Sequence, residues 1–356
     1  MTSLDSRVQA FIEPGVFGRA DAAERDALLA ELAERQSKQV APFGRLVAAR
    51  SGRFDRGPDG WPALPTDVFR FARVAAHPPE EDVVLFRTSG TTNGARGEHA
   101  FRHIYSTMRA AEVMATYALF HGGKRPLLML APMMIEAPDS SLSFMLEMFE
   151  ASFGTDTTWA WSHGKLDTAI ARRALEAASE PMAICATSFA LVHLLDALDG
   201  ARISLPPESF VMQTGGYKGR SREIDARTLR AEVAKTFGLA EHRVVSEYGM
   251  TELSSQLYGD GLLAGQLALD GIERLIVPPW VRVTPCHPET LRPVGRGLVG
   301  VLRIDDLANL DSCCSIQTAD LGRLVGDRVV LHGRNPGAVP RGCSLATEEA
   351  IGAVER

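Results

Sequence analysis

The chain has 356 residues, a formal net charge of −6 and 45% hydrophobic residues. A chain of this length can bury one large core or two ordinary ones. The acidic balance argues against a general nucleic-acid-binding protein, because phosphate contacts require a basic face. No apolar run reaches membrane-spanning length, and the N-terminal residues lack the apolar segment of a signal peptide. We therefore expect a cytoplasmic protein that binds neither nucleic acid nor membranes.

Five cysteines occur in the chain, without a C-x-x-C pair. The odd number argues against a disulfide framework, and the spacing does not match a zinc site. Cys185 lies in an apolar run and is expected in the core. The adjacent Cys313 and Cys314 are interpreted as structural. Cys343, near the C-terminus, is treated separately below.

The N-terminal region, residues 1–80, is expected to be mainly helical. From Asp21 to Arg35, leucines recur at helical spacing behind an acidic start signal. A stretch rich in proline and glycine, 54–67, predicts a loop.

From about residue 81, short apolar strands alternate with helices. The predicted strands are 83–86, 126–131, 181–186, 209–213 and 243–246, and the predicted helices lie near 103–120, 141–151, 166–178, 188–198 and 222–237. This alternation predicts an α/β fold with a doubly wound parallel sheet, which binds ligands at the carboxyl ends of its strands.

After about residue 270 the pattern changes to short strands and turns, which predicts a smaller β-rich region. We predict four parts: a helical region packed on the core (1–80), an α/β core (81–270), a β-rich subdomain (271–330) and a short C-terminal tail (331–356).

A loop rich in hydroxyls and glycines follows the predicted strand 83–86. It reads Arg-Thr-Ser-Gly-Thr-Thr-Asn-Gly-Ala-Arg-Gly over 87–97. Backbone N–H groups and hydroxyls in such a loop can wrap around a phosphate chain. The loop does not match the Walker A pattern, and a simple surface turn is the alternative. The candidate phosphate contacts are Thr88, Ser89, Gly90, Thr91, Thr92 and Arg96.

Two stretches match known motifs by letters alone. Residues 295–300 match G-x-G-x-x-G, but the sequence that follows is typical of a strand, so a hairpin turn is the better interpretation. Residues 162–165 match S-x-x-K without the partner motifs that this chemistry requires. Neither stretch is a candidate site.

A second polar constellation follows the predicted strand 243–246. Tyr248 can offer an aromatic face to a base, and Thr251 can donate to a phosphate oxygen. Glu252 can hold a hard cation through its carboxylate oxygens. An ordinary loop is the alternative.

A glycine turn follows the predicted strand 209–213. Without Cβ atoms, the backbone at Gly215 and Gly216 can lie flat against an adenine ring. Lys218, two residues later, is either a solvated loop charge or a cation near the phosphates. A plain glycine turn is again the alternative.

These segments together resemble the signatures of adenylate-forming enzymes. The loop at 87–97 resembles their phosphate loop, TSGTTGxxKG, with Asn93 and Arg96 replacing the usual Gly and Lys. Residues 248–252 match the signature Y-G-x-T-E. Residues 317–323 resemble a third signature, and 333–342 resemble the hinge segment. Four matches in the same order as in the family indicate an adenylate-forming core.

The resemblance implies ATP and Mg²⁺ as ligands. It implies that Thr251 contacts the α-phosphate, that Glu252 holds magnesium and that Asp320 accepts hydrogen bonds from the ribose hydroxyls. The residues implied to frame adenine are Gly215, Gly216 and Tyr248, and Gly249 is a further expected nucleotide contact.

Typical relatives in this superfamily continue into a large C-terminal domain that supplies a catalytic lysine. The present sequence ends soon after Gly342, at Arg356, so we expect that domain to be lacking. Lys218 and Arg334 are then the candidate cations for the leaving oxygen.

A narrower resemblance is to the acyl-protein synthetases of bacterial bioluminescence operons. The small size, the loop ending Arg-Gly-Glu-His, the Gly-Gly-Tyr-Lys-Gly turn and the Arg-Gly-Cys near the C-terminus carry it. Such enzymes activate a fatty acid as an acyl-adenylate, take the acyl group onto their own cysteine and pass it to a partner reductase. Cys343 matches that acceptor. A buried or incidental thiol is the alternative.

Two further functions stay open at this point. The chain could be a ligase that transfers the acyl group directly to a carrier protein, coenzyme A or an amine, or a nucleotide-binding subunit without catalysis. The acyl group is expected along 129–149, a methionine-rich stretch that core packing explains equally well. His99 and His103 are interpreted as satisfied core or surface histidines.

Overall fold

The computed structural model describes residues 3–13, 17–18, 21–50, 60–88, 95–121, 123–215, 224–334 and 351. Its α-helices are α1 (Leu4–Phe11), α2 (Ala22–Gln39), α3 (Ala41–Ala49), α4 (Tyr105–Ala115), α5 (Ser141–Phe153), α6 (Thr168–Glu176), α7 (Ser188–Leu198), α8 (Ala226–Phe237) and α9 (Gly261–Ala264). Short 3-10 turns cover Thr66–Arg70, Pro79–Glu81 and Glu241–Arg243, and a π-helical turn, Thr116–Phe120, continues α4. Within the described residues, no helix combines the length and the apolar character that crossing a membrane requires.

The strands, in chain order, are β1 (Leu64–Pro65), β2 (Val84–Arg87), β3 (Glu98–Phe101), β4 (Arg125–Leu130), β5 (Gly154–Trp159), β6 (Trp161–Ser162), β7 (Lys165–Leu166), β8 (Ala183–Thr187), β9 (Phe210–Thr214), β10 (Val244–Tyr248), β11 (Leu257–Gly259), β12 (Leu275–Ile276), β13 (Val281–Cys286), β14 (Gly300–Asp306), β15 (Ser315–Val325) and β16 (Arg328–Arg334). The chain divides into two compact units. The first comprises Met1–Val113, Met250–Gln256 and Val277–Arg356, and the second comprises Met114–Gly249 and Leu257–Ile276. The four-part division at 80, 270 and 330 stays a prediction.

The second unit contains the predicted parallel sheet. Its strands run in the order β10, β9, β8, β4, β5, and each neighbouring pair is parallel. Helices α5 to α8 connect these strands, as the alternation of the sequence predicted. β11 and β12 extend one edge of the sheet in the antiparallel direction. The doubly wound parallel sheet is therefore confirmed.

Local sequence explains where the helices of this unit begin and end. The Thr187 hydroxyl caps α7 by accepting from the Ala190 amide at 3.1 Å, and Asp225 caps α8 by accepting from the Thr228 amide at 2.9 Å. α8 ends at Gly238, whose φ of +65° lies in the left-handed region. One face of the sheet and helices α6 to α8 share a buried apolar cluster that includes Ile184 and Phe237.

The first unit combines the N-terminal helices with antiparallel strands. Asp21 caps α2 through the Ala23 amide at 2.8 Å, and leucines of α2 are buried, which confirms the predicted helix. β13, β14, β15 and β16 form an antiparallel meander, which confirms the β-rich character after residue 270. Residues 295–299 lie in the connection between the antiparallel strands β13 and β14, and Gly300 begins β14, which agrees with the hairpin interpretation.

Two predictions about strands were wrong in part. Residues 54–59 of the predicted loop 54–67 lie outside the described residues, and β1, near the end of this stretch, pairs in parallel with β15, joining Leu64 to Ile316. The strand predicted at 83–86 exists as β2, but it pairs with β3 in an antiparallel ribbon and does not join the parallel sheet. The physical reason is that only residues 88–97 separate β2 from β3, whereas parallel pairing requires a crossover connection of about a dozen residues or more.

Candidate functional site

The base of the predicted phosphate loop is closed by hydrogen bonds in the first unit. The Thr88 amide donates to the Gly97 carbonyl at 2.9 Å, and the Gly97 amide donates to the Thr88 hydroxyl at 2.9 Å. A Cβ atom at Gly97 would lie 3.0 Å from Thr88 Cγ2, so the close approach favours glycine there. The two ends of the loop are therefore fixed to each other. Candidate residues Ser89, Gly90, Thr91 and Thr92 lie outside the described residues.

Arg96 braces this loop base through its guanidinium group. Its Nε donates to the Thr88 carbonyl at 2.6 Å, and Nη2 donates to the Arg87 carbonyl at 3.2 Å. Arg70 adds a bond to the Ala95 carbonyl at 3.0 Å. In this arrangement Arg96 orders the backbone that enters and leaves the loop, and its contact with a phosphate stays a prediction.

The carboxyl group of Glu252 is almost fully buried in the same unit. The residue is 7% exposed, and burial raises the pKa of its carboxyl to about 7. The Arg334 charge opposes this rise, whereas Asp67 and Asp320 add to it. Glu252, Asp320 and Arg334 come from three different sequence signatures, and the fold brings their charges within electrostatic reach of each other.

Asp320 and Arg334 form an ion pair across the meander. They face each other in the register of β15 and β16, and Arg334 Nε donates to Asp320 Oδ1 at 3.0 Å. The Arg334 side chain is largely exposed, while Asp320 is mostly covered. The predicted ribose acceptor and the predicted cation therefore lie side by side.

The Glu252 carboxyl suits a hard cation. A buried carboxyl with a raised pKa is stabilised in its charged form by any nearby positive charge, and carboxylate oxygen is a preferred ligand of Mg²⁺. The part of the chain that the structure describes holds no group of three or more acidic, histidine or cysteine side chains arranged to bind a metal. Mg²⁺ that is bound together with phosphates and water commonly takes only one or two carboxylates from the protein.

Buried polar side chains hold the backbone on the C-terminal side of Glu252. Asn309 Nδ2 donates to the Glu252 carbonyl at 3.0 Å, and its Oδ1 accepts from the Ser254 amide at 2.8 Å. Asp306 accepts from the amide and the hydroxyl of Ser255 at 2.9 and 2.8 Å. Neither Asn309 nor Asp306 is exposed to solvent. Buried hydrogen bonds therefore fix the backbone after Glu252, and breaking them would leave buried polar groups without partners.

The second unit carries the predicted adenine-binding residues near the carboxyl ends of β9 and β10. Tyr248 is the last residue of β10 and is half-buried. Gly215 follows β9 with φ of +73°, and its carbonyl accepts from the Ser188 hydroxyl at 2.9 Å. Gly249 is exposed, while Gly216 and Lys218 lie outside the described residues. The roles of these residues stay predictions.

Glu247, next to Tyr248, is a second buried carboxyl that the sequence did not single out. Burial raises the pKa of its side chain to about 7, and a hydrogen bond from the Thr214 hydroxyl opposes the rise. The phenol of Tyr258, which pairs with Glu247 across β10 and β11, donates to Met145 Sδ at 3.7 Å. Met145 and Phe149, in the stretch expected to hold the acyl group, are buried in the core of this unit.

The structure describes four of the five cysteines. Cys185, Cys286, Cys313 and Cys314 are free and buried, which confirms that Cys185 belongs to the core. Burial raises the thiol pKa of Cys185, Cys286 and Cys313 to about 12. Cys343 lies outside the described residues.

Sequence reasoning missed Asp67, Glu247, Asp306 and Asn309. Asp67 stands in a stretch that was predicted to be a loop, and nothing in its surroundings marks it. Asp306 and Asn309 were detectable, because polar residues cluster at 305–312 within an otherwise apolar β-rich region. His99 was interpreted as a satisfied histidine, and the structure confirms that its ring is buried with both nitrogens hydrogen-bonded.

Two solved structures of ligases have a fold similar to that of this chain. 2-Hydroxyisobutyryl-CoA ligase, solved in an open conformation with 2-HIB-AMP and CoA, superposes with a TM-score of 0.62 at 15% identity, covering 90% of this chain and 77% of the ligase. The amide bond synthetase McbA from Marinactinospora thermotolerans gives a TM-score of 0.50 at 16% identity, covering 72% of this chain and 49% of McbA. The fold is that of adenylate-forming enzymes.

The family model described as "Acyl-protein synthetase, LuxE" matches residues 53–351. The chain therefore belongs to the LuxE acyl-protein synthetase family. By sequence, no curated protein matches it.

Proposed function

We propose that this protein uses ATP to activate a carboxylic acid as an acyl-adenylate and then transfers the acyl group to a thiol, its own Cys343. The observation that carries the proposal is the electrostatic grouping of Glu252, Asp320 and Arg334, which stand in three separate signatures of the sequence. Membership of the LuxE acyl-protein synthetase family supports the same reaction.

In the activation step, a carboxylate oxygen of the acid attacks the α-phosphorus of ATP. A new oxygen–phosphorus bond forms, the bond from the α-phosphorus to the bridging oxygen breaks, and pyrophosphate leaves. Catalysis of such a step consists mainly of positioning and charge neutralisation. In the proposed site Thr251 donates to the α-phosphate and Asp320 accepts from the ribose. The other proposed nucleotide contacts are Thr88, Ser89, Gly90, Thr91, Thr92, Arg96, Gly215, Gly216, Tyr248 and Gly249.

Glu252 is the proposed magnesium ligand. Magnesium, when bound, neutralises negative charge on the phosphate oxygens. The proposal is supported by the raised pKa of the buried Glu252 carboxyl, because a bound cation favours its ionised form. Arg334 and Lys218 are the proposed cations for the leaving pyrophosphate.

In the transfer step, the Cys343 thiolate attacks the acyl carbon of the adenylate. The thiol has first lost its proton to solvent or a base; a sulfur–carbon bond then forms, the bond from the acyl carbon to the phosphate oxygen breaks, and AMP leaves. The thioester keeps the acyl group activated for a later acceptor. The four buried cysteines are unsuited to this role, because burial makes a thiol hard to ionise.

The fold alone does not specify the acyl acceptor. The two solved structures named above have a similar fold, yet one is a CoA ligase and the other an amide bond synthetase. The choice of Cys343 therefore rests on the sequence resemblance and on family membership. We further propose a fatty acid as substrate, an acyl reductase or acyl carrier as partner, and a cytoplasmic location.

Incubation with ATP, Mg²⁺ and radiolabelled fatty acids of several lengths tests the proposal. We expect label on the protein that resists denaturation, is released by neutral hydroxylamine and is absent in Cys343→Ser. The matched control is Cys286→Ser, a buried cysteine, which should keep the label. Acid-dependent pyrophosphate exchange without protein labelling would instead indicate direct transfer to an external acceptor.

A further inference from the structure

His99 connects two segments of the first unit. It lies on β3, directly after the predicted phosphate loop, and its ring is completely buried. Its Nδ1 lies 2.7 Å from the Thr251 carbonyl oxygen, and its Nε2 lies 2.7 Å from the Ser312 hydroxyl. Thr251 follows His99 by 152 positions in the sequence, so this contact is made only by the fold.

These partners fix the protonation state of the ring. A carbonyl oxygen can only accept a hydrogen bond, so Nδ1 carries the proton and donates it to Thr251. Nε2 is then an acceptor for the Ser312 hydroxyl. Burial supports the neutral ring, because it lowers the pKa of His99 to about 4. The Ser312 hydroxyl thus selects the tautomer that holds Thr251.

The position of this contact in the segment matters for the site. Asn309 and Asp306 bind the backbone at Glu252, Ser254 and Ser255, on the C-terminal side of the metal candidate. His99 binds the carbonyl of Thr251, one residue before Glu252. The aromatic rings of Phe69 and Phe101 pack beside the imidazole and restrict its rotation. Hydrogen bonds therefore hold the carbonyl of Thr251 and the carbonyl of Glu252, one on each side of the Glu252 Cα atom.

We propose that His99 is a positioning residue for acid activation, a role that rests on the proposed function. Through its Nδ1–H it fixes the Thr251 carbonyl, and through that peptide it orients the Thr251 hydroxyl and the Glu252 carboxyl. Because His99 lies on the strand that leaves the phosphate loop, it also links the backbone of that loop to the segment that carries these two side chains. Catalytic geometry tolerates little displacement, so loss of this anchor should lower the rate even in a variant that still folds.

Two substitutions separate positioning from simple packing. In His99→Asn, the side-chain amide nitrogen occupies the place of Nδ1 and can still donate to Thr251. In His99→Gln, the amide lies near the place of Nε2, so it keeps a partner in Ser312 and loses Thr251. If His99 served only to fill space in the core, the two variants should show the same hydrogen exchange and the same activity when their stabilities are equal.

Hydrogen-exchange mass spectrometry of peptides covering 250–255 measures how firmly the hydrogen bond from His99 holds this segment. We expect exchange about five- to tenfold faster in His99→Gln than in His99→Asn, the effect of one lost hydrogen bond. Equal exchange in two folded variants would overturn the inference.

¹⁵N NMR of the histidines in the unaltered protein is a second measurement, and assignment by Ser312→Ala identifies His99. A protonated Nε2 at neutral pH would also overturn it.

Pyrophosphate exchange supplies the catalytic readout. We expect kcat to fall about 10- to 100-fold in His99→Gln with little change in the KM for the acid, and to stay within about threefold in His99→Asn. If the unaltered protein shows no exchange with any acid, the proposed function fails. The hydrogen-exchange contrast still decides in that case whether His99 holds Thr251.

Discussion

Arg334 donates a hydrogen bond from Nε to Oδ1 of Asp320 at 3.0 Å, across the paired strands β15 and β16. The pair joins the residue expected to bind the ribose to the residue expected to neutralise the leaving group. Because the arginine is 73% exposed on its side chain, the pair contributes little to folding. Its importance should therefore lie in nucleotide binding.

We predict that Asp320→Asn raises the Kd for ATP by about tenfold or more, since the carboxylate is the stronger acceptor. Arg334→Gln should raise it less, by about three- to tenfold, because the substitution removes the partner that orients Asp320. Calorimetric titration measures both values. Arg328→Gln, which breaks the neighbouring pair with Asp327, is the matched control and should leave the Kd unchanged. If all three variants bound ATP with the Kd of the unaltered protein, Asp320 would not be a nucleotide-binding residue.

Substitution of Thr251 or Glu252 should remove activity without unfolding the protein. Thr251→Ala and Glu252→Gln are expected to lower pyrophosphate exchange by about 100- to 1000-fold, because each removes a group that acts on the reacting phosphates or their cation. The exposed Thr290 and Glu289 supply matched controls, Thr290→Ala and Glu289→Gln. Exchange within about threefold of the unaltered protein in either site variant would refute the assignment.

Glu247 should make the second unit less stable at high pH. Its folded-state pKa of about 7 exceeds the ordinary value of 4.5, so folding favours the protonated form. The stabilising effect of that proton is complete below pH 4.5 and is lost as the pH rises through 7. Glu247→Gln stays neutral and can still accept from Thr214.

Urea denaturation at two pH values checks this expectation. At pH 8, Glu247→Gln should be more stable than the unaltered protein by about 3 kcal/mol, and at pH 5 the difference should fall below about 1 kcal/mol. Glu289→Gln, at an exposed position, should show no such dependence. A variant that is less stable at pH 8 would indicate that Glu247 is ionised and paired in the folded protein.

The native protein should expose few reactive thiols. Four cysteines are buried, and burial raises the pKa of Cys185, Cys286 and Cys313 to about 12, so their thiolate form is scarce. Iodoacetamide at pH 8, followed by peptide mass spectrometry, should modify these positions only after denaturation. Rapid labelling of any of them in the native state would contradict the structure described for that position.

Much of the fold was predictable from the sequence, because its patterns are local. Four of the five strands of the parallel sheet contain apolar runs and were predicted, whereas the polar β5 was not. The bounds of α7, Ser188–Leu198, agree with the prediction. β2 was detected as a strand, but its partner was not, since pairing depends on the connection as well as on the strand itself. β1 escaped because two residues are too few to show a period.

The candidate site was predictable only where it is a motif. Thr251, Glu252 and Asp320 stand in recognisable signatures, and their roles stay predictions. The fold alone brings together residues that are far apart in sequence. Asp67 and Asn309 lie near Glu252 in this way, and His99 contacts Thr251. Which polar residues are buried, and against what, could not be inferred from local pattern.

Acid-dependent exchange of labelled pyrophosphate into ATP isolates the activation step from everything that follows it. With the full chain, Mg²⁺ and a panel of long-chain, short-chain and aromatic acids, we expect exchange that requires an acid, is strongest with one class and is lost in Thr251→Ala. Exchange should persist in Cys343→Ser, since that thiol acts after activation. An absence of exchange with every acid, in a protein shown to be folded, would contradict acid activation by this chain.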